Sequence, residues 1–493
     1  MSRSKFGVIA LLALCFLTGT AQAADITWGG TYRIEGVKLQ NPELRDQNSD
    51  KSYLLHHLVL NPKIVAADGI TIFGRLDVLN NPTFGIGPNG EVTSVAGDIL
   101  GNGPGDTALN SQAPAAEPAG GSSSNAFGST QRAGLVSVTS LYLSWAQEFG
   151  QLVIGRAPLH FGLGTAFHAG NGLFDHFITT RDMVGYKVVI GNLFIMPIKA
   201  KFSQGSFADY ADVDDYIVHV QYDNPETELS LGFLYNTRVV TGNDAPITYL
   251  NNNNYIDGNS AKRGGSYSNN LMGFYFSQKA TDWLRASVEM DILSGDTGLR
   301  TSNDLGVGLN AWGIAAEFAW IPPADSKWDA LLKVGLATGD DPGTKDTWEG
   351  YAFHRNYNVG MLMFNHPLGQ ADLFRTGLVR DISKNAASEI DTEALSNAFY
   401  LAPSVGYRWR ENLSYGMTLV YARLNKDPLG PGFNTAMDLG YELDLSVNYK
   451  PMERVTWITE LGALLPGDAW KGGTHNYDTK MVYGIATRAA ISF

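Results

Sequence analysis

The stretch "MVYGIATRAAISF" (residues 481–493) alternates with a period of two. Met481, Tyr483, Ile485, Thr487, Ala489, Ile491 and Phe493 are apolar or tolerable in lipid. The positions between them, from Lys480 through Gly484 and Arg488 to Ser492, carry both charges. That period places one oily and one wet face on a strand. The strand runs to the last residue with an aromatic end and no tail, so the rest of the chain must say what its oily face meets.

The opposite terminus supplies a compartment. Arg3 and Lys5 precede an apolar run from Phe6 to Leu17 and then Ala21-Gln22-Ala23. This pattern predicts a secretory signal peptide over residues 1–23, cleaved before Ala24. The run is too short for a spanning helix. Leu14 precedes Cys15 where a lipoprotein needs a small residue, and Cys15 is the only cysteine. The mature chain, 24–493, is therefore expected to have neither disulfides nor thiol catalysis. No charge block divides it, so one large domain is expected. The net charge of −13 argues against a nucleic-acid partner.

The same alternation recurs along the chain. "ITIFGRLDVLNN" (70–81) sets Ile70, Ile72, Leu76 and Val78 against Thr71, Arg75 and Asp77. "WLRASVEMDIL" (283–293) and "LGYELDLSVNY" (439–449) repeat the pattern. Connections alternate in length. Short turns lie at 66–69, 148–151, 190–192, 223–226, 279–282, 321–326, 410–413 and 450–454. Long polar connections lie at 82–133, 161–181, 241–267, 294–306, 339–395, 425–436 and 466–477. A two-sheet sandwich has no physical reason to lengthen every second connection. A transmembrane antiparallel β-barrel with short periplasmic turns and long extracellular loops has one.

The fold class is thus all-β, with eighteen strands preferred. Twenty result if "FHRNYNVGMLMF" (353–364) and "ADLFRTGLVRDI" (371–382) form an extra hairpin. Closure of the last strand onto "ITWGGTYRIEG" (26–36) would remove the edges that lipid cannot satisfy. Residues 100–133 are low-complexity and read as a surface loop or a pore-mouth element. Expected surroundings are outer-membrane lipid and lipopolysaccharide, with Phe493 presented to the barrel-assembly machinery and the barrel acting as a monomer. Trp28, Tyr53, Trp145, Trp283, Trp320, Trp328, Trp409 and Trp457 are expected to form girdles at the two membrane interfaces.

"DLGYELDLSVNY" (438–449), followed by "ELGALLPGDAW" (460–470), and "GLATGDDPGTKDTWEGYAF" (335–353) resemble the alginate-export family of outer-membrane barrels. The resemblance covers about a third of the chain, mainly 335–353 and 438–470. It implies a monomeric eighteen-stranded channel that exports an anionic polysaccharide of the polyuronate class through an arginine-rich lumen.

Strand parity tests that charge requirement. It assigns Arg33, Arg75, Lys187, Lys199, Lys201, Arg285, Lys333, Arg408, Lys480 and Arg488 to the inner face. The acids there are Glu35, Asp77, Glu289, Asp291, Glu317, Glu442, Asp444 and Glu460. The two signs nearly balance, so pairs such as Arg285 with Glu289 can brace the wall as well as select solutes. The leading expectation is a channel for hydrophilic or charged solutes: an exporter of an alginate-like polymer or, alternatively, a diffusion porin for small-molecule uptake. No cofactor or resident metal is called for.

Two features point elsewhere. "HFGLGTAFHAGNGLFDHF" (160–177) holds His160, His168, Asp175 and His176, the residue types of a rim hydrolase, without a nucleophile motif. The same loop suits a constriction folded inward. "LSGDTG" (293–298) and "TGDDPGTKD" (338–346) offer Asp340, Asp341 and Asp346 to Ca²⁺ but lack EF-hand spacing. The Asn run 251–254 reads as loop. A closed adhesion barrel is the remaining possibility.

Overall fold

A computed structural model describes residues 25–44, 50–78, 136–204, 212–241, 246–249, 262–264, 267–300, 305–344, 346–366, 368–369, 373, 394–430 and 432–493. The leader and its cleavage point, residues 82–133 and the Asn run lie outside these, as does most of 371–393.

The described strands are β1 (Asp25–Gln40), β2 (Lys51–Ala67), β3 (Ile70–Val78), β4 (Val136–Gln147), β5 (Gly150–Pro158), β6 (Thr180–Ile190) and β7 (Leu193–Gln204). They continue with β8 (Asp212–Asn224), β9 (Leu229–Thr241), β10 (Pro246–Tyr249), β11 (Lys262–Gly264), β12 (Tyr267–Thr281), β13 (Leu284–Arg300) and β14 (Gly306–Trp320). The last are β15 (Trp328–Ala337), β16 (Thr347–Trp348), β17 (Ala398–Arg410), β18 (Leu413–Leu424), β19 (Asp438–Met452), β20 (Val455–Pro466) and β21 (Val482–Ser492). β10, β11 and β16 are short pieces within long loops. The other eighteen form one closed antiparallel barrel. Twenty strands are excluded, because 353–364 runs as irregular loop.

Closure joins β21 to β1, from Thr31 opposite Ser492 to Gln40 opposite Tyr483. Every barrel strand then has two neighbours, which leaves no edge to pay for in hydrocarbon. Phe493 continues the ladder, exchanging backbone hydrogen bonds of 3.0 Å with Gly30. Its ring lies where a side chain at Gly30 would stand, 2.7 Å from an ideal Cβ. Glycine is required there by space.

Alternation sends Ile34, Leu443, Leu445, Leu461 and Ile485 outward and exposed, and Arg33, Glu35, Glu442 and Asp444 inward and buried. The girdles differ from expectation. Trp28, Trp145, Trp283, Trp320, Trp328, Trp409 and Trp457 all sit at the short-turn end. Tyr216, Tyr441 and Tyr483 are exposed near the long-loop end instead. The short-turn rim thus carries the tryptophans together with exposed Tyr415 and Tyr449, and the long-loop rim carries tyrosines; both rings are amphipathic and suited to a headgroup layer. Residues 293–298 are strand rather than loop, because β13 and β14 keep pairing, with Asp296 opposite Gly308.

Candidate constriction in the lumen

Two long connections fold inward. The first, residues 159–179, leaves β5 and crosses the barrel. At one end Phe161 packs edge-on to His219 of β8 and Tyr275 of β12, with ring centroids 5.6 and 6.4 Å away. The Thr165 hydroxyl donates to Asp291 at 2.6 Å, and the Thr165 and Ala166 amides approach Glu289 at 3.4 Å. At the other end Arg75 donates to the Gly170 carbonyl at 2.7 Å and Arg33 to that of Asp175 at 2.6 Å. His176 meets Glu35 at 3.2 Å, and Phe174 lies 5.3 Å beneath the Arg488 guanidinium. β13 stands almost half-way round the barrel from β1, so this loop spans the lumen.

The second is the described part of 338–397. Tyr351 donates to Asp291 at 2.9 Å. Lys333 donates to the Asn358 carbonyl at 3.3 Å. The amide of Met361 donates to Asp444 at 3.0 Å, and those of Leu362 and Met363 donate to Glu442 at 2.6 and 2.7 Å. Both inward-facing acid pairs, Glu289/Asp291 and Glu442/Asp444, thus receive loop amides. Carboxylates spaced by two on a strand share a face.

The two loops meet. The His354 amide donates to the Thr165 carbonyl at 2.7 Å. Asn356 accepts from the Phe177 amide at 3.2 Å and donates to its carbonyl at 2.7 Å. A ladder of imidazoles fills the seam: His168 stacks on His354 at 5.3 Å and meets His160 edge-on at 5.1 Å. Gly164, with φ of 82°, leaves the space for it, since a side chain there would strike the His168 ring.

The inner-face residues are placed as follows. Arg33, Arg75, Asp77, Glu289 and Asp291 lie under the crossing loop. Asp77 is sealed by His57 at 2.7 Å and Arg75 at 3.2 Å. Glu317 pairs with Lys333 at 3.2 Å, and Arg488 pairs with Glu460 across β20 and β21. Lys187, Arg285 and Arg408 share the inner parity near the short-turn end. Arg285 does not meet Glu289. It pairs with Glu228, because Glu289 stands four residues, about 13 Å, farther along the same strand.

Lys199 and Lys201 are corrections. They share a face with exposed Ile195 and Tyr216, on the outer wall. Lys199 lies over the Tyr216 ring at 5.5 Å and Lys201 pairs with Asp214 at 3.0 Å. Reading 196–204 one residue out of step exchanges the faces, and a one-residue slip always does so. Lys480 precedes β21 and belongs to a loop.

Parity also overlooked Arg181, Asp215 and Arg238, a buried triad in which Asp215 accepts from Arg181 at 2.7 Å and Arg238 at 2.8 Å. Arg181 shares the parity of Lys187 and was within reach of the same rule. Assigning 161–181 to loop hid it.

The hydrolase and Ca²⁺ features resolve into structure. His168 Nδ1 is engaged by the Gly170 amide at 3.1 Å and the Asn356 side chain at 3.1 Å. Asp341 takes the Gly343 amide at 2.9 Å and Lys426 at 3.2 Å, and Asp340 takes the Glu349 amide at 2.9 Å.

No protein-family model and no curated protein matches this sequence. Among solved structures, a BenF-like porin from Pseudomonas fluorescens Pf-5 aligns with TM-score 0.51 at 8% identity, over 95% of this chain and 98% of that one. OccK9 (OpdG) of Pseudomonas aeruginosa aligns with TM-score 0.51 at 9% identity, over 97% and 100%. Likeness at that identity carries the fold. A closed eighteen-strand barrel with an apolar outer wall, aromatic rims and this architecture is a bacterial outer-membrane protein built like the porins.

Proposed function

We propose that the protein is a diffusion porin for the uptake of small hydrophilic or charged solutes, selecting them at the seam of its two inward loops. One observation carries this reading. The crossing loop is fastened on opposite walls, at Asp291 and at Arg33 and Arg75, so whatever passes must fit beside it. An eighteen-stranded barrel without such a loop encloses a wide aqueous channel. Selection falls to the part-exposed pairs around the loops, Lys333 with Glu317 and Arg488 with Glu460, which present both charge signs to a solute. Polyuronate export, which the resemblance of 335–353 and 438–470 implies, has less support: a polymer needs a continuous cationic path, and here loop backbone takes up Arg33 and Arg75.

The test is planar-bilayer recording of the purified barrel, with reversal potential in a salt gradient and alginate as blocker. It is paired with liposome swelling in solutes of graded size. Steady conductance, entry of small solutes and indifference to alginate support uptake. Anion selectivity with alginate block would move export to the front. Absence of both conductance and swelling would sink the channel reading.

A further inference from the structure

We infer that the seam between residues 159–179 and 349–366 is an acid-opened latch, its histidines holding the loops together only while their rings are neutral. The inference rests on the porin reading and adds regulation to the same constriction.

The geometry is repeated three times. The Ala169 amide donates to His160 Nδ1 at 3.4 Å, the Gly170 amide to His168 Nδ1 at 3.1 Å and the Asn356 amide to His354 Nδ1 at 3.2 Å. Each ring is therefore used as an acceptor at Nδ1, a role only neutral imidazole can fill. A proton arriving there turns acceptor into donor and faces it against an N–H. His168 and His354 are also stacked ring on ring across the two loops, so charging either places a cation against its neighbour.

The surroundings reinforce this. His354 is 2% exposed, and its Nε2 has no hydrogen-bond partner among the described residues. Arg355 on its own loop and His160 and His168 on the facing loop all oppose its protonation. Asp175, 3.7 Å from His168, is the one acid that favours a charged ring directly. Glu289 and Asp291 are occupied by the far side of Thr165 and by Tyr351. Burial holds all three seam histidines below their ordinary pKa, His354 well below it.

The sign follows. In a parted seam the rings are hydrated and titrate near the free value of about 6.5. The closed seam then has its full stability above that pH and loses it as pH falls. Each histidine that takes up a proton on opening shifts the equilibrium by up to about tenfold per pH unit.

Single-channel recording of the full mature barrel in KCl at pH 7.5 and pH 5 reads the latch. The expected result is a higher-conductance state whose population rises at least tenfold in acid. His354→Gln should cut that acid-to-neutral rise at least tenfold, each population being read against the variant's own value at pH 7.5. His160→Gln carries the same prediction if the first variant fails to assemble. A second readout needs no conducting pore: hydrogen exchange of segments 159–179 and 349–366, corrected for intrinsic rates, should show protection falling in acid. Conductance that is constant or lower in acid overturns the latch while leaving the porin reading intact, as does an acid response that His354→Gln retains. Absent conductance with acid-lowered protection would overturn the porin reading and leave the latch. Unchanged protection overturns the latch by itself.

Discussion

Glu442 shows what a single lumenal carboxylate does here. Fully buried, it holds the Leu362 and Met363 amides. A hydrogen bond contributes roughly 0.5–1.5 kcal/mol net, so losing the two in Glu442→Ala should loosen this loop by about 1–3 kcal/mol locally. The expected readout is excess open-channel noise with the barrel still folded, and Glu442→Gln should fall between. Noise identical to that of the parent would show that the loop is held elsewhere. A paired comparison tests the faces. Arg488→Gln should shift the reversal potential toward cations, whereas Lys199→Gln, on the outer wall beside Tyr216, should leave it unmoved. Equal effects of both would contradict the placement. These inward acids were legible from parity alone. Their occupation by loop amides was not, because a strand pattern carries no information about which distant backbone will reach it.

At the scale of elements, the crossing loop is the part that converts a wide barrel into a narrow one. Replacing Leu163–Phe174 by a short Gly-Ser linker should raise conductance severalfold and abolish discrimination by solute size in swelling assays, with barrel assembly unaffected. Unchanged conductance would mean that the narrowest point lies elsewhere in the lumen. The sequence marked this loop as a constriction or a rim enzyme from the same residues, His160, His168, Asp175 and His176. Tertiary contacts separate the two: His176 is spent on Glu35, and the imidazole acceptors on loop amides. Lys199 and Lys201 were misread for an element-level reason. "FIMPIKAKF" (194–202) is apolar on both parities until the lysines, so the face had to be guessed from charge, and outward lysines at a membrane rim defeat that guess.

For the whole molecule, closure is the property on which all else depends. Gly30 seats the Phe493 ring, and the two residues exchange both backbone bonds. Gly30→Leu should slow barrel closure and lower the temperature at which the folded form is lost on heat-modified gels. Phe493→Ala in the same background should partly relieve the clash. Parent-like behaviour of Gly30→Leu would show that the notch is incidental.

The sequence by itself determined the class: a period of two held over strand after strand, with connections alternately short and long, admits a closed membrane barrel and little else. Eighteen strands was the preferred count and twenty the alternative, because local periodicity does not say whether 353–364 pairs as strand or runs as loop. Tertiary structure decided the lumen. Which loop turns inward, where it fastens and which charges it consumes depend on contacts between residues such as Thr165 and Asp291, or Leu362 and Glu442, far apart in the chain. Those contacts are set by the diameter and register of the closed barrel, which no single stretch of sequence contains.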